Sequence, residues 1–311
     1  MDGRRALALD IGATKLAVAL VDERGAVVRA DRVPTGREDG PDAVIGRLLD
    51  LAERVRGDDR IAAVGVACGG PLDAHAGVLL GPLHLPGWDH VEIVRIAEER
   101  LGAPALLVND ASAGAWGELR AGAAADAGSA VYLTVSSGLG GGAVLDGRLL
   151  AGATTNGGEL GHVCVRPGGR RCTCGRLGCA EAYAAGTQLV ERVREALAEG
   201  RDSVLADGPA LDAEAVVRAA AEGDALAGEL WTEALACLGQ LATDLTNVFE
   251  PEVVVLDGGL GRLDAVLDAV RHAVELNAMA PIRRAVRVER AALDGAAPAV
   301  GAALLALERV A

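Results

Sequence analysis

Residues 157–181 read GGELGHVCVRPGGRRCTCGRLGCAE and hold one histidine, four of the six cysteines and two glutamates. His162, Cys172, Cys174 and Cys179 follow one another at intervals of ten, two and five residues. A tetrahedral zinc ion takes four such nitrogen and sulfur ligands, and closed sites of this kind are usually structural. Glycines at 175 and 178 let the backbone turn tightly enough for nearby sulfurs to converge on one ion. Arg170, Arg171 and Arg176 stand beside the thiols and are expected to favour the thiolates a metal needs. Two other readings stay open: Cys164 replacing His162 in an all-cysteine site, or reduced thiols with no metal. Glu159 and Glu181 flank the cluster, so a metal here would fix two acidic side chains in space.

A chain of 311 residues, 51% of them hydrophobic, suits two modest domains better than one large core. The net charge of −14 argues against a nucleic-acid or anionic-membrane partner. Aromatic residues make up only 2%, which also disfavours stacking of bases. No apolar run approaches the roughly 18 residues of a membrane span, and MDGRRALALDIG is unlike a secretory signal. Clustered cysteines without such a signal point to metal ligands in a reducing compartment, and the expected location is cytoplasmic. Every basic residue but one is arginine; the sole lysine, Lys15, sits in a glycine-containing turn where a compact charge suits phosphate oxygens.

Residues 6–21 read as strand, tight turn, strand, and residues 130–145 repeat the plan with Ser136, Ser137 and Gly138 at the turn. Two such copies suggest a duplicated architecture. Helical spacing over 41–55, a short strand at 61–67, helix over 91–101 and strand at 105–108 follow one another. The stretch 73–89 reads as an ordered loop. Helices are predicted over 111–121, 188–199, 212–222, 225–249 and 299–309, with strands at 252–256 and 286–289. Strands alternating with helices indicate an α/β class with mixed sheets. The natural domain boundary lies near Asn109.

DIGATK (10–15) and SSGLGGG (136–142) are glycine turns that follow strands, and such turns can expose backbone N–H groups to an anion. Each alone also reads as a plain hairpin turn; as a pair they suit a nucleotide polyphosphate. Asp10 is placed to hold magnesium through water, with Thr14 and Lys15 on phosphate oxygens. The turn at 257–261, with Gly258 and Gly259, would fit beside a ribose or adenine ring. Asp110 is a helix N-cap on the plain reading and, in this company, a general base that takes a hydroxyl proton during phosphoryl transfer. Asn109, Glu159, His162 and Glu181 form a polar set able to pair with the hydroxyls of a polyol. Trp88 reads as a loop anchor or, second, a sugar-facing ring; Glu118 reads as a helix-surface charge.

DIGATK, the GGPLD turn (69–73), LPGW (85–88), Asn109–Asp110 with Gly117–Glu118, SSGLGGG, GGELGH and CxCGxxGCxE together resemble the ROK family of bacterial sugar kinases over residues 6–261. The resemblance implies an actin-like (ribonuclease H-like) duplicated two-domain fold with an interdomain cleft, using ATP and Mg2+. It implies a small domain over 1–109, rejoined by a helix at about 297–311, and a larger one over 110–296 carrying the zinc loop. By resemblance Asp110 is the catalytic base. Gly70, Asn109, Glu159, His162 and Glu181 contact sugar. Gly12, Thr14, Lys15, Ser136, Ser137 and Gly138 match the phosphate turns, and His162, Cys172, Cys174 and Cys179 match a structural zinc site. Some members are repressors with an added N-terminal DNA-binding domain; with the first strand read from about residue 6, none is expected here. Two positions depart from the common pattern: Ser136–Ser137–Gly138 stands where GTG is usual, and His84 where an asparagine is frequent. The implied function is ATP-dependent phosphorylation of a hexose at the 6-hydroxyl, with glucose first. Fructose, N-acetylglucosamine, N-acetylmannosamine or a non-catalytic sugar sensor are the alternatives. A homo-oligomer, dimer or tetramer, is expected by resemblance.

Overall fold

A computed structural model of the chain describes residues 3–207 and 211–311. The first two residues of the expected small domain lie outside them. The chain opens with the hairpin β1 (Arg5–Ile11) and β2 (Lys15–Asp22), then β3 (Val27–Pro34), α1 (Pro41–Arg56) and β4 (Ala63–Cys68). The short strands β5 (Leu72–Asp73) and β6 (Val78–Leu79) pair within the stretch read as a loop. Next come α2 (Ile93–Leu101), β7 (Ala105–Asn109), α3 (Asp110–Ala121), β8 (Ala130–Val135), β9 (Leu139–Leu145) and β10 (Arg148–Leu149). Helices α4 (Glu181–Ala184), α5 (Gly186–Ala198), α6 (Ala213–Ala221) and α7 (Ala225–Phe249) lead to β11 (Val253–Asp257). Then α8 (Asp264–Asn277), α9 (Ala280–Arg283), β12 (Arg287–Arg290) and α10 (Ala297–Arg309) complete the chain.

The described residues fall into two compact units. One takes the chain up to Tyr132, then Gly142–Gly158 and Ala291–Ala311; the other takes Leu133–Gly141 and Glu159–Arg290. The first sheet runs β3-β2-β1-β4-β7 and the second β10-β9-β8-β11-β12, the same plan twice. In the first, β1 is antiparallel to β2 and parallel to β4, which is parallel to β7.

The pattern ALALDI explains how β1 is covered. Successive side chains of a strand point to opposite faces, and here the large ones alternate with the small. Leu7, Leu9 and Ile11 join the cluster with α1 and α2 that contains Leu48, Leu51 and Ile93. Ala6 and Ala8 face the other way, with Ala302, Ala303 and Ala306 of α10. A face of alanines brings helix and sheet close. At Gly65 a Cβ would lie 2.1 Å from the Ala302 carbonyl oxygen. Helices α3 and α10 also cross through glycines: a Cβ at Gly117 would meet Ala297 O at 2.4 Å, and one at Gly301 would meet Ala113 O at 1.7 Å. This packing keeps α3 and α10 in the first unit, so the partition does not coincide with the boundary expected near Asn109.

Glu118 corrects the sequence reading. It is not a surface charge: it is 0% exposed. Its carboxylate accepts from the backbone N–H groups of Ala123 at 2.7 Å, Ala292 at 3.0 Å and Leu293 at 2.9 Å. A buried carboxylate is tolerated when donors satisfy it in this way. Trp88 is likewise fully buried, in the cluster with Leu85 and Ile93, which matches the loop-anchor reading.

Candidate functional site

In the first unit the site is built at the carboxyl ends of parallel strands, where α/β sheets place their ligands. Ile11 pairs with Cys68, and Cys68 with Asn109, so the ends of β1, β4 and β7 stand side by side. Asn109 is the residue that caps α3: its Oδ1 accepts from the Ser112 N–H at 3.0 Å. Asp110, expected to be the cap, is the first helical residue, and its Oδ1 accepts from the N–H of Ala111 at 2.8 Å. Burial raises the proton affinity of the Asp110 carboxyl, while the Ala111 N–H and the charge of His84 oppose the rise. Asp10, on β1 with β4 between it and β7, is pushed up to about 7 by burial and then by Asp110, with Lys15 pulling the other way. A carboxyl raised by a neighbouring carboxyl is a group whose charged form a cation would favour. Cys68 is a buried thiol raised well above its usual range by burial and by both aspartates. Nothing in its sequence context marks it.

The DIGATK turn is backed by Thr35, which the sequence reading passed over. The Gly12 N–H donates to Lys15 O at 3.1 Å, and the buried Thr35 hydroxyl donates to Gly12 O at 2.8 Å. Thr14 and Lys15 are left exposed. Asp10 and Lys15 border a cavity of about 420 Å³ with Ala17, Arg32 and Asp294. Gly70 lies in the turn after β4, joined to Pro71 by a cis peptide bond.

In the second unit, Ser136, Ser137 and Gly138 form an exposed turn after β8. Their carbonyls are held from the start of α5: the N–H of Gly186 donates to Ser136 O at 2.8 Å, and the Thr187 hydroxyl to Ser137 O at 2.8 Å. Gly258, at φ 84°, runs against the end of β8, where a Cβ would lie 2.4 Å from Val135 O. Gly259 has open space at its Cβ position. The two turns after β8 and β11 are therefore neighbours, tied by the Leu260 N–H on Val135 O at 3.0 Å.

The side chains of His162, Cys172, Cys174 and Cys179 converge, with one ligand atom of each within 4.8 Å of the others. His162 Nδ1 lies 3.6 Å from Cys172 Sγ, and the Sγ atoms of Cys174 and Cys179 are 3.7 Å apart. Sulfurs at about 2.3 Å from a tetrahedral zinc are about 3.7 Å from each other, so the donor set and its spacing fit that ion. The Cys179 thiol is pushed up to about 12 by burial and by its neighbouring cysteines, a crowding that a cation relieves. Cys164 stands outside the group, with its Sγ on Leu177 O at 3.6 Å. The arginine side chains find partners in and beside the loop. Arg170 pairs with Glu195 at 2.7 Å, Arg171 donates to Gly175 O and Arg176 to His162 O. They tie down the loop; the backbone N–H of Arg176 also helps hold the Cys174 thiol below its usual range, while none of the three figures among the influences on Cys172 and Cys179. His162 Nε2 faces Glu159 at 3.9 Å, and Glu181 accepts from the Thr173 hydroxyl at 3.1 Å. Both glutamates thus stand beside the cluster.

A duplicated α/β core, with an aspartate heading a helix at the strand ends and glycine turns after β1 and β8, is that of the ATP-dependent sugar kinases of the actin-like class. The chain belongs to the ROK family, whose profile matches residues 6–309. An N-acetylmannosamine kinase of Salmonella newport is 36% identical over 303 residues, covering 96% of this chain and 97% of that protein. The ROK hexokinase structure from Thermus thermophilus is 37% identical, with a TM-score of 0.84 over 98% of this chain and 99% of that one. A ROK glucokinase from Streptomyces griseus, solved with glucose and AMPPNP, is 30% identical, with a TM-score of 0.83 over 98% and 99%. Among the described residues no helix is long and apolar enough to cross a membrane.

Proposed function

We propose that this protein transfers the γ-phosphoryl group of ATP to the 6-hydroxyl of glucose, with Asp110 as the general base. The observation that carries the reading is Asp110 itself, relieved of capping by Asn109 and raised in proton affinity by burial. A base with raised affinity for protons is better matched to a hydroxyl at neutral pH. Phosphoryl transfer otherwise needs positioning and charge neutralisation. In this reading Gly70, Asn109, Glu159, His162 and Glu181 pair with sugar hydroxyls. Gly12, Thr14, Lys15, Ser136, Ser137 and Gly138 hold phosphate oxygens, and Gly258 and Gly259 admit the nucleoside.

Asp10 would hold Mg2+ through water, and the ion when bound would neutralise phosphate charge. His162, Cys172, Cys174 and Cys179 would hold a structural Zn2+, which when bound would fix the loop that carries Glu159 and Glu181. The His162 Nε2–H side, turned toward Glu159, is left to orient that carboxylate or a hydroxyl. We place the enzyme in the cytoplasm, as a homodimer or tetramer.

A second reading takes N-acetylmannosamine as the acceptor, favoured by the 36% identity to kinases of that sugar. A panel of glucose, mannose, fructose, N-acetylglucosamine and N-acetylmannosamine with ATP and Mg2+ decides between them. Glucose should give the highest kcat/KM, and a preference for an N-acetylated sugar overturns the first reading.

A further inference from the structure

The segment after β10 is fastened to β5 and the residue beyond it by two side chains. Asn156 reaches across 84 positions to Leu72: its Oδ1 accepts from the Leu72 N–H at 2.9 Å, and its Nδ2 donates to the Leu72 carbonyl at 2.8 Å. The same Nδ2 donates to Thr154 O at 2.8 Å. Beside it, the Thr155 hydroxyl accepts from the Ala74 N–H at 2.9 Å. A primary amide carries a donor and an acceptor side by side, so Asn156 pairs with Leu72 as a neighbouring strand would. Thr155 is buried and has φ 62°, a left-handed conformation that a β-branched residue rarely takes. Such a conformation persists only where surrounding contacts over-determine it. Here the bonds of Thr155 and Asn156 do so, together with closure of the loop by the Gly157 N–H on Ala151 O at 2.8 Å. A Cβ at Gly157 would also lie 2.8 Å from that oxygen, so a side chain there would force the closure open.

Leu72 follows Gly70 by two positions, and Gly158, two positions beyond Asn156, is the last residue of this segment in the first unit. Glu159 comes next and is exposed. We propose that Thr155 and Asn156 are positioning residues for the acceptor sugar: they clasp the turn that carries Gly70 to the chain that leads into Glu159, and so order both before the sugar arrives. The proposal rests on the acceptor reading above, in which Gly70 and Glu159 pair with hydroxyls, and deepens it. Both side chains act on backbone and leave the sugar to others. A turn ordered in advance loses less freedom on binding, and small displacements of groups that position a substrate are costly. The phosphate side has separate supports, Thr35 behind the DIGATK turn and the start of α5 behind Ser136 and Ser137.

The test measures the KM for ATP, the KM for the hexose that wild type prefers in the panel above, and the melting temperature. The proteins are wild type, Asn156→Ala, Thr155→Val and Val55→Ala. The first variant removes the amide, the second removes only the hydroxyl from a side chain of the same shape, and the third trims the core against α1. Asn156→Ala should raise the hexose KM at least about tenfold and Thr155→Val at least about threefold, with the KM for ATP within about twofold of wild type. Val55→Ala should lower the melting temperature and leave both KM values within about twofold. A smaller rise in the hexose KM of Asn156→Ala, a KM for ATP that rises in step with it, or the same split in Val55→Ala overturns the proposal. If Asn156→Ala does not melt cooperatively, Thr155→Val carries the test on its own threshold. A wild type inactive on every hexose removes the acceptor reading and this proposal together. An active wild type whose variants show no split removes only the clasp.

Discussion

The Oδ1 of Asn109 accepts the backbone N–H of Ser112 at 3.0 Å, and this bond decides what the next residue is free to do. The first N–H groups of a helix need acceptors. Because Asn109 serves as the cap, Asp110 keeps an oxygen for another task while remaining fixed on the first turn of α3.

Asp110→Asn should lower kcat by about a hundredfold to ten-thousandfold, the range supplied by a general base. Hexose affinity by calorimetry should stay within a few-fold, since the amide keeps the size and one acceptor. Substantial residual turnover in a pre-steady-state assay would remove Asp110 from the role.

Removal of a sulfur tests the metal cluster. Cys174→Ser should lose zinc by elemental analysis, raise the KM for the sugar and lower the melting temperature by several degrees, because metal binding to a folded site is folding free energy. Unchanged zinc content would count against these four ligands.

The pH dependence follows from Asp10. Its folded value of about 7 stands above the ordinary 3.8, so between those values the folded chain binds a proton that the unfolded chain does not. Metal-free stability should therefore lose this contribution as pH rises from about 4 to about 7 and be flat in it above that window. Asp10→Asn should abolish that part of the slope and, relative to wild type, raise the melting temperature at pH 8. The same variant should be inactive with ATP and Mg2+. Equal slopes in thermal melts of the two proteins would refute the assignment.

Glu118→Gln should destabilise by about 1–3 kcal/mol, the cost of leaving buried groups unsatisfied. That corresponds to a fall of roughly 2–4 °C per kcal/mol in a chain of this class. An amide has one acceptor oxygen for three backbone donors, and its own N–H groups would oppose them. Denaturant melts that superimpose on wild type would show that Glu118 does not fasten the segments at 122–124 and 291–293.

Much of this was legible along the chain. The alternation in ALALDI marks β1, the small face of α10 is written in its alanines, and α7 was bounded correctly by its periodicity. The spacing of His162, Cys172, Cys174 and Cys179 carried the metal reading because ligand spacing in a tight loop is a local property. Glu118 was misread for the opposite reason. A charged residue late in a helix looks solvated, and the N–H groups that satisfy it come partly from residues 174 and 175 positions away. Where the loop's arginine side chains would bind was not legible either, since Glu195, the partner of Arg170, lies on another element.

By itself the amino-acid order determined the α/β class, the duplicated hairpins, the loop that gathers His162 with the clustered cysteines and the pair Asn109–Asp110, because each depends on side-chain type and on neighbours a few residues off. Only the tertiary structure decided that Asn109 and not Asp110 caps α3, that Glu118 is a buried acceptor, and that Asn156 holds Leu72. Those are facts of long-range packing, fixed by which strand ends and loops the glycine- and alanine-lined contacts allow to approach.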